Sequence, residues 1–94
     1  MLDEVRSALR VDGTDLDTEI QGLIDAAVSD LILSGVSAAK AQAMVDPLIK
    51  RAVIIYCQAH FDYADRSAER LLQSYAMLKA HLSMAVDYRE VTTS

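Results

Sequence analysis

Leu16-Asp17-Thr18-Glu19-Ile20-Gln21-Gly22-Leu23-Ile24-Asp25-Ala26-Ala27-Val28-Ser29-Asp30-Leu31-Ile32 is the stretch on which the fold turns. Leu16, Ile20, Leu23, Ile24, Ala27, Val28, Leu31 and Ile32 recur at i, i+3, i+4 and i+7, while Asp17, Gln21, Asp25 and Ser29 fall on the opposite side. That period is an amphipathic α-helix with one face for a core. Thr14 or Asp15 is placed to cap its start, and Asp17 and Glu19 in its first turn complement the unpaired N–H groups there. Gly35, following Ser34, is its expected stop.

The flanking sequence repeats the theme. Upstream, Leu2, Val5, Ala8 and Leu9 make a short first helix with Asp3 and Glu4 in the first turn and Arg10 in the last, ending at Val11-Asp12-Gly13. Downstream, Ser37 can cap a short helix over Ala38 to Val45. Asp46-Pro47 is an N-cap followed by proline at the first helical position, where its missing N–H costs nothing. From there Leu48, Ile49, Ala52, Val53, Ile55, Tyr56, Ala59, His60 and Tyr63 define a helix to about Ala64, widened by Ile54 and Cys57. So broad an apolar surface belongs to a central helix or to one buried on two sides, the second side being a partner. Asp65 or Ser67 can cap a last helix over 69 to about 83, carrying Leu71, Leu72, Tyr75, Leu78 and Leu82. The expectation is an all-α bundle of three to four main helices with short turns: residues 1-86 as one helical domain, 87-94 as a C-terminal tail that stays flexible until assembly.

Composition narrows the function. A chain of 94 residues is marginal as an isolated core, so a homo-oligomer is expected. Its longest apolar run, Ala52 to Cys57, is far short of the ~20 residues that span a bilayer. Met1-Leu2-Asp3-Glu4 is acidic where a secretory signal is basic, and the one cysteine, Cys57, has no partner for a disulfide; both fit action inside a cell. Residues 1 to 35 hold eight acids against Arg6 and Arg10, whereas the remainder is close to neutral. That imbalance argues against phosphate-driven binding of nucleic acid, which needs clustered Lys and Arg.

The sequence carries no complete chemical site. Asp12, Asp15, Asp17 and Glu19 invite a calcium loop, but a loop starting at Asp15 would need glycine where Ile20 stands, so the acids read as helix-capping charges. His60, with Asp62 and Asp65 nearby, lacks a nucleophile, a second histidine at ligand spacing or a phosphate-cradling loop, and reads as a core-edge or interface residue. His81 fits a helix C-terminus, and Cys57 reads as a buried, inert thiol. Met44, Met77 and Met84 read as gap-fillers. No cofactor, metal or enzymatic activity is expected. Tyrosines suit half-buried contacts, so Ile55, Tyr56, His60, Tyr63, Tyr75, Tyr88 and Arg89 are the candidate interface, with Asp17, Glu19, Asp25 and Asp30 as an acidic surface. The bases of the second half, Lys50, Arg51, Arg66, Arg70, Lys79 and Arg89, could face the acids of an adjacent copy, the complementarity that a head-to-tail ring requires.

Leu2-Asp3-Glu4-Val5-Arg6-Ser7-Ala8-Leu9-Arg10-Val11-Asp12, followed by an acidic turn and Asp17-Thr18-Glu19-Ile20-Gln21-Gly22-Leu23-Ile24-Asp25-Ala26-Ala27, resembles the opening of the head-tail connector (adaptor) proteins of tailed bacteriophages. Asp46-Pro47-Leu48-Ile49-Lys50-Arg51-Ala52-Val53, and Ser74-Tyr75-Ala76-Met77-Leu78-Lys79-Ala80-His81-Leu82-Ser83 with Asp87-Tyr88, are similar to connectors encoded by prophages. The resemblance spans nearly the whole chain but adds nothing for residues 36 to 45. It implies a virion structural protein of the neck, assembled in the host cytoplasm into a ring of about a dozen copies. The ring would sit below the portal protein and meet a tail or stopper protein, with double-stranded DNA passing through without specific binding during packaging and ejection. Acidic walls, for which Asp17, Glu19, Asp25 and Asp30 are the candidates, would let the duplex slide. It also implies a C-terminal segment that reaches the portal. Without the resemblance, the same features suit a small intracellular adaptor or regulatory protein that binds one partner as monomer or dimer through its third long helix.

Overall fold

The computed structural model describes residues 1–61, 67–85 and 88. They form five helices and no β-strand: α1 (Leu2–Leu9), α2 (Asp17–Leu33), α3 (Ala38–Ala43), α4 (Pro47–Phe61) and α5 (Ala68–Met84). Four are the expected main helices; α3 is a short connector. None among the described residues is long and apolar enough to cross a membrane.

α4 is the spine. It buries Ile49, Ala52, Val53, Ile55, Cys57 and Ala59, and α1, α2 and α5 all pack against it. The wide apolar surface of this helix is therefore largely accounted for inside the subunit. α2 contributes Ile20, Ile24, Ala27 and Leu31 from the stripe read in the sequence, α1 adds Val5, and α5 adds Tyr75 and Leu82. Gln58 Nε2 donates to the Ala8 carbonyl at 3.4 Å, supplying one of the acceptors that the last turn of α1 leaves open.

The helix ends show where local signals ruled and where they did not. After α2, Gly35 (φ 108°) reverses the chain as expected: its N–H bonds the Ile32 carbonyl at 3.0 Å and the Val36 N–H bonds that of Leu31 at 3.0 Å. Val36 and Leu31 are both fully buried, the apolar contact that accompanies this cap. α1 closes in the same way but earlier than Gly13. Arg10 takes the left-handed position (φ 59°), with Arg10 N–H on Ser7 O and Val11 N–H on Arg6 O. Arg10→Gly is accordingly expected to raise stability by about 0.5–1 kcal/mol, read as a higher midpoint in thermal or urea melts, since glycine takes positive φ without a Cβ clash.

α2 starts after Leu16, and its cap position has no side-chain hydrogen bond, so neither Thr14 nor Asp15 is the cap. α3 stops at Ala43, two residues short of expectation, because Met44 turns left-handed (φ 56°). Ser37 caps it, accepting from Lys40 N–H at 3.5 Å. Asp46 does cap α4, accepting from Leu48 N–H at 2.8 Å. α5 starts one residue earlier than expected, behind Ser67.

Candidate assembly surfaces

Asp30 ends up at the junction of three helices. Its Oδ2 accepts from the Tyr75 hydroxyl at 2.6 Å and from Lys79 Nζ at 3.0 Å, tying α2 to α5. Tyr75 and Lys79 are four residues apart and so share one helix face. From α4, the Tyr56 ring meets Tyr75 edge-on at 5.1 Å and His60 at 4.2 Å. Burial pushes the Asp30 carboxyl up, but the hydrogen bonds from Tyr75 and Lys79 more than offset this, and it settles below the ordinary carboxylate value. Burial, then the bond to Asp30, raises the Tyr75 phenol. Burial also raises the half-buried Tyr56, and pushes the Cys57 thiol up to about 12, which keeps it protonated and inert.

These contacts redistribute the expected interface. Ile55 and Tyr75 are only 6% and 4% exposed and belong to the core of the subunit, because α4 is covered on the side where Ile55 lies and Tyr75 is drawn inward by Asp30. Tyr56 is half-buried, and His60 is exposed at the edge of the same aromatic group. Tyr88 is seated: its hydroxyl donates to Asp46 Oδ2 at 2.8 Å, its carbonyl accepts from Ser37 N–H at 2.6 Å, and Lys40 Nζ lies 5.1 Å from its ring centre. The Tyr88 bond is also the first cause of a lowered Asp46 carboxyl. Tyr63 and Arg89 lie outside the described residues, as do Asp62, Asp65 and Arg66.

The acidic set divides similarly. Asp17 Oδ1 lies 2.9 Å from Arg6 Nε, an ion pair by distance without the alignment of a hydrogen bond, and Arg6 also holds Asp3 at 2.7 Å. Asp30 is matched by Lys79. Glu19 and Asp25 remain exposed, Asp25 taking a hydrogen bond from the neutral Gln21 at 3.0 Å. A pairing 45 residues apart, such as Asp30 with Tyr75, leaves no local sequence signal.

Depressions on the surface are open grooves lined by mixed side chains, one of them between α2 and α3 beside Met1, Ile24, Val28 and Met44. Among the described residues no three His, Cys, Asp or Glu side chains converge as metal ligands would.

No curated protein and no solved structure matches the chain. A family model does: that of the phage connector protein, over residues 1–89. Those residues include all five helices and the seated Tyr88, so the chain belongs to the phage connector protein family and is a structural protein of a phage particle.

Proposed function

We propose that the chain is a head-tail connector (adaptor) subunit, without enzymatic activity, that closes into a ring of about a dozen copies beneath the portal. The observation that carries this reading is the family match over residues 1–89. Double-stranded DNA passes through the bore, and a tail or stopper protein meets the opposite side. Residues 1-86 act as one helical domain, and 87-94 reach the portal, leaving the subunit from the fixed point that Tyr88 supplies.

Charge gives the bore its behaviour. Glu19 and Asp25 are exposed and face no base among the described residues, whereas Asp17 and Asp30 are matched by Arg6 and Lys79. The first two are thus the better candidates for a wall that repels phosphate and lets a duplex slide. Negative-stain electron microscopy of the purified protein, alone and mixed with the portal protein of the same genome, tests the reading. Rings, or an added disc on the portal, are the expected result. Monomers or dimers that never decorate the portal would favour a small adaptor protein instead.

A further inference from the structure

α5 turns its core side, Leu78, Tyr75 and Leu82, toward α4, and leaves an apolar surface opposite. Met77 and Met84 are 74% and 76% exposed. Arg70, Met77 and Met84 stand seven residues apart and fall almost in line along the helix. Nothing else among the described residues covers that line.

α2 presents a second unexplained feature. Gly22 lies in mid-helix, where glycine costs about 1 kcal/mol relative to alanine. A Cβ there would meet nothing within 4 Å, and its φ is not positive, so the subunit itself gives no reason for glycine. It lies instead in an open groove of about 430 Å³ with Leu2, Asp17, Thr18, Gln21 and Asp25, on the side of α2 away from the core. A helix position kept bare toward solvent suits close approach of another chain.

We infer that these two faces meet between copies: the outer line of α5 in one subunit lies along the outer line of α2 in the next, with Met77 over Gly22. The inference rests on the ring reading above and names its contact. Charge fixes both occupant and direction. Gly22 and Ser29 in α2 carry the same seven-residue spacing as Met77 and Met84 in α5, and Asp15, in the turn just ahead of α2, precedes Gly22 by as many residues as Arg70 precedes Met77. Parallel helices with Met77 on Gly22 bring Arg70 to Asp15, in the acidic turn that also holds Asp12, and Met84 to the small Ser29. Running the helices antiparallel sets Arg70 on Ser29 and Met84 on Asp15, which satisfies neither. Equal heptad spacing suits the shallow crossing of helices packed side by side. Two different faces on one chain form a heterologous contact, which propagates until it closes. Glu19 and Asp25 flank the Gly22 line on opposite sides, which leaves one of them for the bore wall.

A covalent trap tests this directly. In the full chain carrying Gly22→Cys and Met77→Cys, mild oxidation of assembled material, alone or on the portal, should give a ladder of disulfide-linked multimers on a non-reducing gel, while Met77→Cys alone gives none beyond a dimer. Cys57 is buried and serves in both as the silent thiol. Met77→Asp, at a solvent-facing position, should keep the wild-type circular dichroism and weaken assembly about tenfold or more, as for an anchor residue of an interface. Assemblies without a ladder, or a folded Met77→Asp that assembles like the wild type, would overturn this contact and leave the ring intact. A wild-type chain that neither forms rings nor binds the portal would remove the ring, and the contact with it.

Discussion

Ile55→Asp is expected to leave the chain unfolded at room temperature, with the helical signal in far-ultraviolet circular dichroism largely lost. Ile55 is 6% exposed in the spine of the bundle, so the change removes a buried aliphatic side chain, worth roughly 2–5 kcal/mol, and puts a carboxylate into the apolar core. A domain of this size has only about 5–14 kcal/mol in total, and the added desolvation cost is of the same order. Tyr56→Asp is the informative comparison. Its side chain is half-buried beside the exposed His60, so the variant should stay folded with a lower melting temperature. A wild-type melt for Ile55→Asp would show that α4 is not the spine.

Asp30→Ala should have the next largest effect, a loss of about 1–3 kcal/mol in urea or thermal unfolding, because it strands the buried Tyr75 hydroxyl and unpairs Lys79. Partial exposure of the pair screens the ionic part, so most of the loss comes from the stranded phenol. Tyr75→Phe in the Asp30→Ala background should then recover part of it, a coupling that a double-mutant cycle reads directly. The pH dependence follows from the sign of the shift. The Asp30 carboxyl is lowered in the folded chain relative to its ordinary 3.8, so the folded state holds this proton less tightly than the unfolded state. Its contribution is fully present above that value and is lost as pH falls through the lower, folded value. Wild type should therefore lose stability in acid more steeply than Asp30→Asn; equal acid profiles would mean that the Asp30 junction is not formed.

Much of the fold was legible because it was written locally. The α2 stripe, the Gly35 reversal and the Asp46-Pro47 start are signals carried within one or two turns, and each appears where the sequence put it. The misplaced ends have a common cause. Arg10 and Met44 take left-handed backbone that costs a residue with a Cβ about 1 kcal/mol, and propensity would have assigned it to a glycine such as Gly13. Packing of Val5 and Ala41 into the core sets these ends instead, so tertiary burial overrides the local preference. The surfaces were harder to read than the helices. Ile55 and Tyr75 look like interface residues by type, but Asp30, brought from another helix, accounts for the Tyr75 hydroxyl inside the subunit. Met77 read as a gap-filler because no one-dimensional pattern separates a methionine that fills a core from one that faces out.

The central place of α4 also bears on how the protein is made. α1, α2 and α3 leave the ribosome first, yet the surface against which α1 and α2 bury their apolar sides is Pro47–Phe61, which follows them. A nascent chain that stops before this point has amphipathic segments and no core to close them. Folding during synthesis must then wait for α4 and for α5, which packs against it and completes the core, and until they emerge the apolar stripe of α2 is left exposed to other nascent chains.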